Sequence, residues 1–155
     1  MPTHAEKRTL PYPPEKLFDL VADIDRYSEF LPWCVGSRVL RREGNVIYAD
    51  LMIGFRMVRE TFTSRVTLTP SSRVDVEYQK GPFRHLTNHW EFRPHPDGCV
   101  IDFYIDFEFR SRLLRRLIEP LFNEAVRRMV SAFEARARVV YGEPEGAPIA
   151  GSGTS

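Results

Sequence analysis

The 155-residue sequence predicts an α+β fold, in which a curved antiparallel sheet of about seven strands wraps a long C-terminal helix. Three observations predict it. Between Val46 and Arg110 the extended segments alternate apolar and polar residues, a period of two that marks strands with one face on a core. The alternation is sharpest in Cys99, Ile101, Phe103, Ile105, Phe107 and Phe109, set against Asp102, Tyr104, Asp106, Glu108 and Arg110. Turn chemistry separates the segments, at Gly44-Asn45, Pro70-Ser71-Ser72, Gly81-Pro82 and Pro94 to Gly98. Finally, only one helical segment after Arg110 is long enough to cover the apolar face of such a sheet.

The elements follow in order. His4–Leu10 reads as a first strand near a sheet edge, ended by Pro11-Tyr12-Pro13-Pro14. Proline suits the first helical position, and Leu17, Phe18, Val21 and Ile24 give one apolar face to a short helix from Pro14 to Ala22. Asp25 is placed to cap a second short helix, Arg26–Phe30, by accepting a backbone N–H near Ser28; Pro32 ends it. Strands are expected at Cys34–Arg42, Val46–Phe55, Val58–Leu68, Arg73–Gln79, His85–Arg93 and Cys99–Phe109. Apolar residues then recur at helical spacing from Leu114 to Val140, with Pro120 predicting a kink or restart because it removes a backbone donor. One domain, 1–142, is expected to be followed by a disordered tail, 143–155, too poor in apolar groups to pack.

A formal charge of +1 gives no global reason to expect nucleic acid. The charge is uneven, however: eight arginines between Arg110 and Tyr141 face three glutamates, Glu119, Glu124 and Glu134. Such a helix meets phosphate head groups or RNA, and a merely solvated face has the same composition. Cys34 and Cys99 belong to no CxxC pair and read as reduced packing residues. No apolar run approaches the roughly 18 residues of a membrane span, and the N-terminus has no signal-peptide character, so a cytoplasmic protein with at most peripheral inner-membrane contact is expected.

Catalytic motifs are missing: no GxGxxG, phosphate loop, GxSxG or HExxH occurs. His85 and His89 in a strand lie about 13 Å apart along its axis, too far to share a zinc ion bound at about 2 Å, and read as surface histidines. Asp102, Asp106 and Glu108 read as partners of cross-strand arginines. Three polar residues fall in phase with apolar faces: Glu60, Ser64 and Asn88. An unmet buried polar group costs about 1–3 kcal/mol, so each needs a partner: backbone, water, a neighbour, or the polar head of a mostly apolar ligand. Lys80, Phe83 and Arg84 form a turn with an aromatic flanked by cations, which either dips into a membrane surface or folds inward; Trp33 is expected to pack inward.

The order strand, two helices, six strands, long helix resembles the helix-grip, or START-like, architecture. The residues Leu17-Phe18-x-Leu20-Val21-x-Asp23 and Tyr27-x-x-Phe30-Leu31-Pro32-Trp33-Cys34 are similar to the coenzyme Q-binding protein family of START-like domains. So are Gly81-Pro82-Phe83-x-x-Leu86, Trp90-x-Phe92, Ile105-x-Phe107-x-Phe109-x-Ser111 and the closing-helix run from Phe122 to Gly142. The match spans about Thr9 to Gly142. The resemblance implies a non-enzymatic role: binding ubiquinone or a related isoprenoid quinone or lipid in a hydrophobic cavity, with no resident cofactor, in support of respiration. Bacterial relatives are also named ribosome association toxin RatA, which makes the ribosome an alternative partner. More distant relatives are labelled polyketide cyclases or dehydratases, which would need an acid or base in the pocket; Glu60 is the one in-phase acidic candidate. Pocket-lining roles then fall on Phe30, Leu31, Trp33, Phe62, Leu86 and Trp90, and on Phe103, Phe107, Leu121, Phe122, Met129 and Phe133, with Ser64 and Asn88 toward the head group. Membrane or partner contact falls on Lys80, Phe83, Arg84, Arg127 and Arg128.

Overall fold

In the computed structural model the alternating segments form seven strands: β1 (Thr3–Leu10), β2 (Cys34–Glu43), β3 (Val46–Phe55), β4 (Val58–Thr69), β5 (Arg73–Lys80), β6 (Phe83–His95) and β7 (Gly98–Phe109). Residues 3–55 and 57–142 are described; the tail expected to be disordered lies outside them. All pairings are antiparallel, in the order β1-β7-β6-β5-β4-β3-β2. Consecutive hairpins build six strands, and β1 closes against the last of them. Register shifts at Cys34/Gly36, Val39/Arg41, Thr63/Ser64 and Phe83/His85 each break the ladder locally and raise the twist, which curls the sheet.

Helix α1 (Pro14–Ala22) and a 3-10 turn (Ile24–Glu29) follow β1. The expected cap does not form. Asp25 instead accepts the Val39 N–H at 2.8 Å and Ser37 Oγ donates to the Asp25 carbonyl at 3.0 Å, so this residue ties the turn to β2. The turn starts two residues earlier than expected because Ile24, which is buried, belongs to it. Strand β6 also starts earlier, since the shift at Phe83/His85 lets Phe83 pair with Phe109.

The closing helix is broken where proline predicted. Helix α2 (Arg112–Ile118), with Ser111 Oγ accepting the Leu114 N–H at 3.2 Å, passes through a 3-10 turn (Glu119–Leu121) into α3 (Phe122–Tyr141). The sheet wraps α3, whose buried side chains are Phe122, Val126, Met129, Val130, Phe133 and Ala137. Burying each large one contributes about 1.5–3 kcal/mol. Along the edge strand β1 the first three inner positions, His4, Glu6 and Arg8, are polar: His4 Nδ1 meets Asn123 Oδ1 at 3.0 Å, and Arg8 reaches Glu134 at 3.3 Å. Inward-pointing charges of this kind blunt an open sheet edge.

The two ends of the core differ. At one end Leu10, Leu17, Val21, Cys99, Ile101, Val130 and Ala137 are at most 2% exposed. Gly98, in the β6–β7 turn, touches the corner after β1 so closely that a Cβ would lie 2.3 Å from the Leu10 carbonyl oxygen, and its φ is +139°. At the other end the sheet and helices stand apart.

Candidate functional site: a two-chambered apolar cavity

The hollow end follows from side-chain size and from the broken closing helix. An inner chamber of about 100 Å³ is bounded by the 3-10 turn, β3 to β7 and α3; an outer chamber of about 170 Å³ is bounded by β3, β4, β6, β7, the Glu119–Leu121 turn and α3. Five side chains, Trp33, Phe62, Leu86, Ile105 and Met129, belong to the walls of both. The chambers are therefore neighbours that share these five side chains as a wall. Trp33 packs inward, as its position beside Pro32 predicted.

Of the residues singled out in the sequence, Leu31, Ser64, Asn88, Trp90, Phe103 and Phe133 line the inner chamber, and Phe107, Leu121 and Phe122 the outer. Phe30 does not line either. It stands behind the wall, edge-on to Phe133 at 5.1 Å, with the Arg136 guanidinium 5.1 Å over its ring. Phe83 corrects the surface reading of its turn. It is 3% exposed, stacks on Phe109 at 4.8 Å, meets Phe62 and Phe107 edge-on, and forms part of the outer chamber. The close approach of Gly81 to Phe62, 2.6 Å from a Cβ it lacks, draws the turn in and carries Phe83 with it. Lys80 and Arg84 remain exposed at that end. Arg127 and Arg128, expected as contact cations, both bond Glu124, at 2.9 and 3.1 Å, which holds the Glu124 carboxyl below its ordinary range.

Sequence reasoning missed Tyr27, Val74, Val76 and Ile53, as well as Ile118 and Ala125. Strand phase showed which of the β residues point inward; it carries no information on which end stays hollow.

The polar content is small and gathered in the inner chamber. The Tyr27 hydroxyl donates to the Val21 carbonyl; burial, with Cys34 and Asp23 adding to it, pushes this phenol far above its usual range and keeps it neutral. Asn88, in the chamber wall, donates Nδ2 to the Tyr104 carbonyl at 2.8 Å, one of the bonds its amide can make. Ser64 is 2% exposed and forms no hydrogen bond through its hydroxyl among the described residues. Among the described residues no carboxylate or cationic side chain lines either chamber, and Glu60 stands outside both. On the outer face of the sheet, Asp102 pairs with Arg93 at 3.3 Å, Glu108 with Arg115 at 3.1 Å, and Asp106 lies 3.4 Å from His85. His89 stacks on Tyr104, apart from His85, and both histidines are half-buried by these neighbours rather than fully exposed. Cys34 and Cys99 are buried free thiols.

The sequence profile described as polyketide cyclase / dehydrase and lipid transport matches residues 10–134. The chain belongs to that family. Within it, the chain is 37% identical to the ribosome association toxin RatA of Pseudomonas aeruginosa over 144 residues, 92% of this chain and 100% of that protein. It is also 37% identical to the mitochondrial coenzyme Q-binding protein COQ10 homolog B of Xenopus laevis, covering 92% of this chain and 60% of that protein. Among solved structures, the 18 kDa protein CC1736 of Caulobacter crescentus superposes with a TM-score of 0.75 at 36% identity, covering 92% of this chain and all of that one. The Caulobacter protein shares this fold, and a family whose description includes lipid transport accords with an apolar interior. Among the described residues no helix is long and apolar enough to cross a membrane.

Proposed function

We propose that this protein binds ubiquinone, or a related isoprenoid quinone, in the joined chambers and carries it without chemical change, in support of respiratory electron transport. The observation that carries the reading is the division of polarity: among the described residues Tyr27, Ser64 and Asn88 line the inner chamber alone, and the outer one presents apolar surface. A molecule with a polar ring and a prenyl tail matches that division, ring inward toward Ser64 and Asn88. An apolar cavity of about 150 Å³ takes a benzene ring. A substituted quinone therefore needs both chambers, with Met129 moving as the adaptable part of their shared wall. The first isoprene units fill the outer chamber and the rest of the tail leaves past Leu121.

The energetics suit a carrier. Taking a tail from water is worth about 0.8 kcal/mol per CH₂, but a tail in lipid has already gained most of that. Transfer between bilayer and protein is then nearly neutral, and the cargo is released as readily as it is taken. Among the described residues the cavity offers cyclase-type acid–base chemistry no carboxylate, and Tyr27 is held neutral and engaged by Val21.

Both tryptophans of the chain, Trp33 and Trp90, line the inner chamber. A short-tailed ubiquinone is expected to quench their fluorescence saturably, and mass spectrometry of lipid extracted from protein purified out of its native host should find quinone. Absent or non-saturable quenching, together with phospholipid alone in the extract, sinks the reading. A second reading, ribosome association, is favoured by the full-length match to the RatA protein. Cosedimentation with ribosomal subunits, lost at high salt or on Arg127/Arg128 substitution, would establish it.

A further inference from the structure

Helix α2 carries three arginines and no acidic residue, and only one of its side chains, Leu114, is buried. Arg115 is taken up by Glu108 and the Phe109 carbonyl. Arg112 and Arg116 are exposed and, among the described residues, enter no ion pair. Beside them Leu113, Leu117 and Leu121 are 64%, 41% and 43% exposed. A spacing of four places Leu113 and Leu117 on one side of α2 next to the pair of arginines, and Leu121 follows in the turn after it. Single exposed leucines are ordinary, but a stripe at the mouth of a cavity is a patch. Leu121 and Ile118 line the outer chamber from this side. Ile53 lines it from the other, and the turn after its strand presents Met57 at 96% exposure.

We propose that this rim, α2 with Leu121 and Met57, docks on an anionic lipid bilayer: the leucines and Met57 enter the acyl boundary and Arg112 and Arg116 meet lipid phosphates. It rests on the carrier reading for its cargo, and the docked mouth would open the outer chamber directly onto the hydrocarbon from which a prenyl tail comes. An RNA backbone matches the arginines but leaves the leucines in water, and α2 offers no aromatic side chain for base stacking. Lipid satisfies both kinds of side chain.

Flotation of the full chain with vesicles of equal parts phosphatidylglycerol and phosphatidylcholine tests it, with pure phosphatidylcholine as the neutral arm. Wild type should float with the anionic vesicles only. Arg112→Gln/Arg116→Gln should weaken partitioning about 30-fold, as two surface cations predict, and Leu113→Ser/Leu117→Ser should also abolish stable flotation. Arg127→Gln/Arg128→Gln removes the same charge from α3 and should change it by no more than about two-fold, because those cations are already paired. Equal losses in both arginine pairs would overturn the assignment to α2. So would α2 variants that lose ribosomal subunits while still floating. If wild type fails to float yet quinone still quenches Trp33 and Trp90, the docking surface is wrong and the carrier reading stands. Flotation as expected without quenching leaves the surface in place and removes the quinone.

Discussion

The end of the core around Leu17 and the end around Trp33 are both apolar and buried, yet the residues around Leu17 line neither chamber while Trp33 belongs to the walls of both. At the solid end small and branched side chains (Leu10, Val21, Cys99, Ala137) interdigitate, and Gly98 lets β7 approach the chain after Leu10. At the other end large rings stand edge-on: Phe83 to Phe62, Phe107 to Phe122 at 4.7 Å, and Phe133 to Trp90 at 5.1 Å. Large rigid rings leave space where no small side chain stands between them, and the helix broken at Pro120 covers that end less continuously than one unbroken helix would. Aromatic content marks a cavity here through geometry, not through hydrophobicity.

The same contrast holds for charge. Helix α3 is rich in arginine, but Arg127, Arg128, Arg136 and Arg138 each have a glutamate partner. Helix α2 is shorter and its exposed cations have none among the described residues. Arginine density is therefore a poor guide to a binding surface; the position of the nearest acid decides.

Four measurements break or sharpen the comparison between the ends. The largest effect is expected at the solid one: Leu17→Ala should lower the unfolding free energy by about 2–5 kcal/mol in a urea titration, since no neighbour can collapse into the space. A loss well below that range would mean the end is not solid. At the hollow end Ala125→Leu adds atoms where space exists, so stability should change by less than about 1 kcal/mol. Quenching by short-tailed ubiquinone should at the same time weaken at least roughly ten-fold. If binding is untouched, the outer chamber is not on the ligand's path. Smaller still, Ser64→Ala should weaken quinone binding about two- to ten-fold, one hydrogen bond's worth, with the fold intact. An unchanged affinity removes Ser64 from the head-group site.

A separate effect, on stability rather than on binding, is alkaline. Burial pushes the Cys99 thiol up to about 11 from an ordinary 9.0. The unfolded chain loses its proton first, so above pH 9 the folded state binds more protons and stability falls with rising pH until about 11. Cys99→Ala should flatten that part of the stability profile, measured by urea unfolding at a series of pH values. A profile identical to wild type would show that the thiol at the solid end does not sense its burial.

Much of this was legible in the residues. Alternation located the strands from Val46 to Phe109, and Pro120 located the break in the closing helix. What escaped was local and competitive. Asp25 has a capping residue's side chain, but a strand N–H two elements away, at Val39, captured it. Phe83 sits between cations in a turn, which reads as a membrane tip, and a register shift with the tight Gly81 contact folded it inward. Phe30 belongs to a run of large apolar residues, but helix α3 placed Phe133 in front of it.

By itself the sequence determined the elements, their inward faces and the place where the last helix breaks, because period, turn residues and proline act over a few neighbouring positions. Only the tertiary structure decided where the core is hollow, which arginines keep a free charge at the rim, and which inward polar groups face open space. Those properties depend on distances between residues far apart in the chain, and pattern along the chain does not encode whether two facing side chains touch.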